Sequence, residues 1–171
     1  MATVTFTTAP FESTEKWVGD GLLIRLSEEA SHVLPTRGMA MVVGNVNGVD
    51  FQAAVEPDGE GSHWFRPNSD LIESAGLSIG SSIVVELEPT KLWPEPTVPE
   101  DIQEVLNADA EAWATWQSLT PAARWDWIRW AGTARQAETR QKRIDSIPSR
   151  FRLGKRSPCC FDRNQCSLTE A

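Results

Sequence analysis

The sequence predicts an α+β protein in which a small β-barrel precedes a bundle of helices. From Val4 to about Pro89 the apolar residues recur with a period of two, as in strands that bury one face. Beyond Pro99 they recur with helical spacing. The segment between these regions, from Pro89 to Pro99, holds four prolines, which disfavour both helix and internal strand.

The clearest strand starts at Val49 and alternates through Val55. It is joined to the run 39–46 by Asn47-Gly48, a pair that favours a tight type I′ hairpin because both turn residues need a positive φ. Further alternating strands are predicted over residues 22–26 and 83–87. Five or six short strands of this kind indicate a barrel rather than an open sheet.

Two short helices are expected between these strands. Ser27 can cap a turn or two of helix through Leu34. Asn68 or Ser69 can cap another, which ends at Gly76 because glycine suits the left-handed position after a helix. The barrel therefore carries helical insertions.

The C-terminal half is predicted to hold four helices. The first begins at Pro99, Asp109 caps the second, and the third begins at Thr120. The fourth runs from about Gln136 to Ile147 and is expected to end before the proline that follows. We divide the chain into a barrel domain (1–89), a proline-rich linker (90–98), a helical region (99–149) and a basic, cysteine-containing tail (150–171).

Tryptophan is crowded in the helical region. Of eight tryptophans, five lie within eighteen residues: Trp113, Trp116, Trp125, Trp127 and Trp130. Four of them fall at positions that suit the core of a helical bundle. Trp125 lies outside the apolar stripe of its helix and remains a candidate surface contact.

Charge and targeting signals limit the class of protein. The formal net charge is −8, which argues against general binding to nucleic acid or to an anionic membrane, although residues 124–171 are basic on balance. No apolar run is long enough to span a bilayer, and the first residues lack the pattern of a signal peptide. We expect a cytoplasmic location and no membrane partner.

Three arginines project onto or beside the apolar stripes of their helices, where a charge is costly unless it is paired. One interpretation is structural, with each arginine reaching a carboxylate such as Asp126, Glu138 or one in the barrel. The other is a guanidinium cluster that binds a small anionic ligand or a protein. The candidate ligand-binding residues are Arg124, Trp125, Arg140 and Arg143.

The tail carries the three cysteines of the chain, Cys159, Cys160 and Cys166. They could ligate a soft metal, but structural zinc takes four ligands, and His32 and His63 are remote in sequence. A reactive thiol and an inert tail are the other two interpretations. No cofactor is otherwise indicated.

No catalytic set is evident. The sequence has no Gly-x-Ser-x-Gly or His-Glu-x-x-His motif, and the glycine-rich stretch 57–62 lacks the lysine of a phosphate-binding loop, so we expect it to be a turn between strands. These observations favour a non-enzymatic protein.

The chain resembles the bacteriocin-protection, YdeI/OmpD-associated family, in which a barrel domain of unknown function precedes a helical region. The resemblance rests on the order of several short motifs: Gly44-Asn-Val-Asn-Gly48, Gly59-Glu-Gly61, Gly76-Leu-Ser-Ile-Gly80, Val98-Pro-Glu-Asp101, Leu119-Thr-Pro121, Trp127-Ile-Arg-Trp130 and Glu138-Thr-Arg-Gln-Lys-Arg-Ile144.

The resemblance implies a double-split pseudo-barrel similar to those of AbrB-like regulators, and it brings no catalytic residues. Family members often have basic residues where this chain has Ser69, Ile72 and Glu73, so nucleic-acid binding by the barrel is disfavoured. The leading hypothesis is a non-enzymatic cytoplasmic binding or stress-protection module. The alternatives are a thiol or metal protein that uses the tail cysteines, and a regulator that binds nucleic acid through its basic C-terminal region.

Overall fold

A computed structural model of the chain describes residues 2–14 and 21–158. These residues form two compact units that divide after Leu92, which we call the barrel unit and the helical unit. The barrel unit holds strands and two short helices, and the helical unit holds helices. The predicted α+β class, with a barrel preceding a helical region, is confirmed.

The barrel unit is built on one antiparallel sheet. Its described strands are β1 (Val4–Thr8), β2 (Ile24–Arg25), β3 (Ala40–Val46), β4 (Val49–Pro57), β5 (His63–Phe65) and β6 (Ile83–Thr90). Their order in the sheet is β1-β6-β3-β4-β5-β2. Phe11 and Leu23, which lie next to the two edge strands, exchange two backbone hydrogen bonds of 2.9 and 2.8 Å. This bridge joins the edges, so the sheet is a nearly closed barrel.

The hairpin between β3 and β4 forms as predicted. Asn47 and Gly48 have φ values of 49° and 82°, and Val46 pairs with Val49 across the two-residue turn. Alternate residues of β4 pack on the barrel core, where Phe51 stacks on Phe65 with ring centroids 5.0 Å apart.

The two short helices of the barrel begin at the predicted caps, and the second also ends as predicted, whereas the first ends two residues before the predicted Leu34. Helix α1 (Glu28–His32) is capped by Ser27, and α2 (Ser69–Ala75) is capped by Asn68, whose Oδ1 accepts a 2.8 Å bond from the Leu71 N–H. Gly76 ends α2 in the left-handed conformation, with φ at 65°.

Gly44 has a packing role inside the sheet. On β3 it pairs with Leu87 of β6. A Cβ at this position would overlap the Glu86 carbonyl oxygen and would lie 2.7 Å from the Leu87 Cα. Glycine is therefore required for the two strands to approach this closely.

The helical unit contains α3 (Glu100–Asn107), α4 (Ala110–Ser118), α5 (Pro121–Gly132) and α6 (Ala137–Arg152). Asp109 caps α4 and Thr120 caps α5, both as predicted.

Three other predicted boundaries are wrong, and the first is that of β2, which spans only Ile24–Arg25 of the predicted 22–26. Strand β6 continues through Pro89 to Thr90. Its pairing with β1 ends at Leu87, so Pro89 has a partner strand, β3, on one side only, and its missing N–H is tolerated there. Helix α6 does not end before Pro148 but continues to Arg152. The missing N–H of Pro148 costs one helical bond, but the extension buries Phe151 on the same face as Ile144 and Ile147.

The core of the helical unit is rich in tryptophan. Trp116, Trp127 and Trp130 are buried, and Trp113 packs against them, which confirms that these four belong to the core. Trp127 makes edge-to-face contacts with Trp130 and Phe151, at centroid distances of 5.7 and 5.0 Å.

Candidate functional site

Arg124, at the start of α5, closes the end of the preceding helix. Its Nε donates to the Trp116 carbonyl oxygen at 3.0 Å and its Nη2 to that of Gln117 at 2.9 Å. Its Nη1 forms an ion pair with Glu95. The Trp116 carbonyl also accepts the Leu119 N–H, and the guanidinium adds bonds to both carbonyls of the last turn of α4, so it serves as a C-terminal cap.

Trp125 lies against the proline-rich segment. Its Nε1 donates to the Pro94 carbonyl oxygen at 2.8 Å, and its ring is 6.2 Å from that of Trp93. The side chain is half-buried. The residues just before α3 therefore pack on α5 instead of crossing open solvent.

Arg140, in the first turns of α6, is held by the first turn of α3. Its Nε and Nη2 donate to the two carboxylate oxygens of Asp101 at 2.8 and 3.0 Å. These bonds hold the pKa of Asp101 below its usual range. The two-bond geometry makes this the most specific ion pair between α3 and α6.

Arg143 lies one turn further along α6. Its Nη1 donates to the Trp130 carbonyl oxygen at 2.7 Å and to the Thr133 hydroxyl at 3.1 Å. Its guanidinium carbon is also 5.5 Å from the centroid of the Trp130 ring. Arg143 therefore contacts the C-terminal end of α5.

The predicted arginines do not meet at one point. Arg140 and Arg143 both approach the C-terminal end of α5, since Arg140 reaches the space beside Gly132. Arg124 bonds to the end of α4 and to Glu95. The carboxylates that hold Arg124 and Arg140 were not among the partners expected from the sequence.

Arg150 is a neighbour of Arg143 that the sequence analysis missed. Its guanidinium carbon lies 4.7 Å from the Trp130 centroid, and its Nε donates to the Ser146 hydroxyl at 3.1 Å. The spacing of seven residues from Arg143 places both on one face of a helix. This spacing does not stand out in the sequence because Pro148 predicts that the fourth helix ends before it reaches Arg150.

Other cations of α6 and the turn after it also bond to the preceding helices. Arg152 pairs with Asp109 and with Glu111, and the Arg156 Nη2 donates to the Ser118 carbonyl oxygen at 2.9 Å. The backbone N–H of Ala112 first, and Arg152 in addition, lower the pKa of Asp109.

Charge in the helical unit is divided along the chain. Residues 93–128 carry seven acidic side chains and one basic one, whereas residues 129–158 carry nine basic and two acidic ones. We call residues 129–158 the basic segment. Its net charge of +7 contrasts with the net charge of −8 of the whole chain.

The barrel unit contains a buried polar pair. The Ser31 Oγ lies 2.7 Å from the His63 Nδ1, and the His63 Nε2 lies 2.9 Å from the Gly38 carbonyl oxygen. A carbonyl needs a donor, so Nε2 carries a proton, and in that tautomer Nδ1 can accept the serine hydroxyl proton. The pair connects α1 to β5 and lies fully inside the protein.

The cysteine and metal sites considered from the sequence have no described structure to support them. Cys159, Cys160 and Cys166 lie outside the described residues. Within residues 2–14 and 21–158, no group of three or more His, Cys, Asp or Glu side chains is placed to hold a metal ion. The stretch 57–62 connects β4 to β5, as predicted. In the described part of the chain, no helix has the length and apolar character needed to cross a membrane.

Comparison with protein families gives two matches that follow one another along the chain. Residues 4–87 match the model of a domain of unknown function, DUF1905, and residues 95–151 match the model described as bacteriocin-protection, YdeI or OmpD-associated. No curated protein matches the chain. The first match covers the barrel strands and the second covers the helices. The helical region of the chain therefore belongs to the bacteriocin-protection, YdeI or OmpD-associated family, and the barrel that precedes it is a DUF1905 domain of unknown function.

Proposed function

We propose that this protein is a non-enzymatic binding module that holds a multiply charged anionic partner on the basic segment. The observation that carries the proposal is the kind of partner that two cations of this segment, Arg150 and Arg156, have. Arg150 and Arg156 bond to a hydroxyl, an indole and a carbonyl, all of which are neutral. Neutral partners orient a guanidinium without cancelling its charge, so a positive potential remains on this segment.

The acidic part of the helical unit supports the same conclusion. Its carboxylates are directed to particular cations, since Asp101 pairs with Arg140 and Asp109 with Arg152. These pairs stabilise the arrangement of the helices. Arg150 and Arg156 are bonded instead to neutral groups, so these two cations are the ones that can attract a partner.

The test is a calorimetric titration of the full chain with inorganic tripolyphosphate at about 20 and about 200 mM salt. We expect binding that weakens as salt rises, because ionic strength screens exposed charges. The double substitution Arg150→Glu, Arg156→Glu should abolish it. The matched control Arg66→Glu, Lys91→Glu makes the same change of charge in the barrel unit and should retain binding.

The absence of binding to the wild-type chain, or equal losses in the two double variants, would contradict the proposal. The two alternatives from the sequence are tested alongside it. A single-stranded DNA that binds the same segment more tightly than tripolyphosphate would favour the nucleic-acid regulator. A metal found by elemental analysis of the purified protein would favour the cysteine site.

A further inference from the structure

We infer that Arg150, held against Trp130, is the recognition residue of this segment and that its guanidinium binds a phosphate group. The inference rests on the proposed function and specifies the ligand. Nε of Arg150 donates to Ser146, and the guanidinium lies 4.7 Å from the Trp130 centroid. In the part of the chain that the structure describes, Nη1 and Nη2 of Arg150 have no acceptor. The N–H groups of these two nitrogens are donors with which arginine can bind two oxygens of an oxyanion.

The guanidinium is held in position before any ligand arrives. Trp130 is buried, and its ring is fixed by the edge-to-face contact with Trp127. The Ser146 hydroxyl donates to the Arg143 carbonyl oxygen at 2.7 Å, which leaves its lone pairs to accept the Nε proton of Arg150. A side chain that is already ordered loses little further entropy on binding.

A second positive charge lies beside the same ring. The guanidinium carbon of Arg143 is 5.5 Å from the Trp130 centroid, and its Nη1 is fixed by the Trp130 carbonyl oxygen. Arg143 therefore contributes charge at this point, whereas Arg150 contributes both charge and donors. The net charge of +7 of the basic segment around this indole favours a dianion over a monoanion.

The chemistry of the ligand follows from these two properties. The planar fork of arginine matches two oxygens of a phosphate or of a carboxylate. A phosphate group carries a charge near −2 at neutral pH, whereas a carboxylate carries −1. The site should prefer phosphate, whether it comes from free inorganic phosphate or from a phosphorylated peptide.

The inference is tested by ¹⁹F NMR on the full chain labelled with 5-fluorotryptophan. The Trp130 signal is assigned with Trp130→Phe, and the probes are inorganic phosphate, a phosphoserine peptide and acetate. We expect both phosphate probes to shift the Trp130 signal at concentrations where acetate does not. The phosphate probe that binds more tightly identifies the source.

Two substitutions test the role of the side chain. Arg150→Ala should weaken phosphate binding by about tenfold or more, because hydrogen bonds to a charged group are lost. Arg150→Lys should weaken it by about three- to tenfold, because charge remains but the fork does not. Lys142→Ala, a loss of one charge on an exposed side of the same helix, should leave binding unchanged.

An unchanged affinity of Arg150→Ala for phosphate, or a wild-type Trp130 signal that no phosphate probe shifts, would overturn the inference. The proposed function would survive either result if the wild-type chain still bound tripolyphosphate. If tripolyphosphate also failed to bind, both would be wrong.

Discussion

The elements of the barrel unit and those of the helical unit are held together by different kinds of contact. In the barrel, backbone pairing between strands supplies most of the order, and the buried polar side chains, Ser31 with His63 and Asp58 with Arg25, bond within that frame. In the helical unit, long arginine side chains fasten one helix to another through carboxylates, carbonyl oxygens and, at Arg143, an indole ring. A strand carries its own bonding partners along its edge, but a helix leaves unbonded carbonyls at its end, which arginines can reach.

This difference predicts that substitutions will affect the stability of the two units in different ways. Close strand packing in the barrel makes single backbone positions critical. In the helical unit the cost of a change should depend on whether it removes core volume or only one surface pair. Four substitutions test this contrast, in order of expected effect.

Gly44→Ala should have the largest effect, because its Cβ would overlap the backbone of β6. We expect destabilisation of about 4 kcal/mol or more, or failure of the barrel unit to fold. Gly48→Ala is the control, since a Cβ there meets open space but the φ of 82° is unfavourable, which should cost about 1 kcal/mol. Chemical denaturation measures both, and similar values for the two would contradict this role of Gly44.

Trp127→Ala should destabilise the helical unit by about 3–5 kcal/mol, because it removes a fully buried ring from the core. The comparison is Trp125→Ala, whose half-buried ring should cost about 1–2 kcal/mol. Hydrogen exchange followed by mass spectrometry separates the two units and should show lost protection in α5 and α6. An equal loss of protection in β3 and β6 would break the distinction between the units.

Ser31→Ala should destabilise the barrel unit by about 1–3 kcal/mol, because it removes a buried hydroxyl that bonds to Nδ1 of His63 and accepts from Nη1 of Arg37. Ser78→Ala removes an exposed hydroxyl that bonds only to nearby residues and should change stability by less than about 0.5 kcal/mol. Thermal unfolding measures the pair. If Ser31→Ala proved as stable as the control, the polar pair would have no structural role.

Arg140→Ala should have the smallest effect, less than about 1 kcal/mol at neutral pH, since its pair with Asp101 is partly exposed. Arg140 lowers the pKa of Asp101 in the folded protein, so the pair stabilises the fold above the ordinary aspartate pKa of about 3.9. That contribution is lost as pH falls through the lowered pKa. The difference in the free energy of unfolding between the wild-type chain and Arg140→Ala should therefore vanish in acid. A difference that increased as pH fell would contradict this role of the pair.

Much of the fold could be predicted because the signals are local. The Asn47-Gly48 turn and the caps at Ser27, Asn68 and Asp109 each depend on a few adjacent residues. The partners of the arginines could not be predicted in this way. Asp101 lies 39 residues from Arg140, and Glu95 lies 29 from Arg124. Only the packing of the helices brings them together.

The end of α6 shows how one local rule hid part of the candidate site. Pro148 predicts that the helix stops, but burial of Phe151 on the established apolar face carries it onward to Arg152. The sequence therefore places Arg150 in the tail and does not indicate that it lies near Arg143 and Trp130. Tertiary packing outweighed the local cost of the proline.

The central claim is that the arginines of the helical unit divide into those that hold the fold and one that recognises a ligand. The most direct measurement compares Arg140→Ala and Arg150→Ala for both thermal stability and phosphate affinity. We predict that Arg140→Ala is less stable at neutral pH but binds phosphate like the wild-type chain, whereas Arg150→Ala binds about tenfold more weakly or worse with its stability nearly unchanged. The claim would be contradicted if both variants lost affinity equally, or if Arg150→Ala lost only stability.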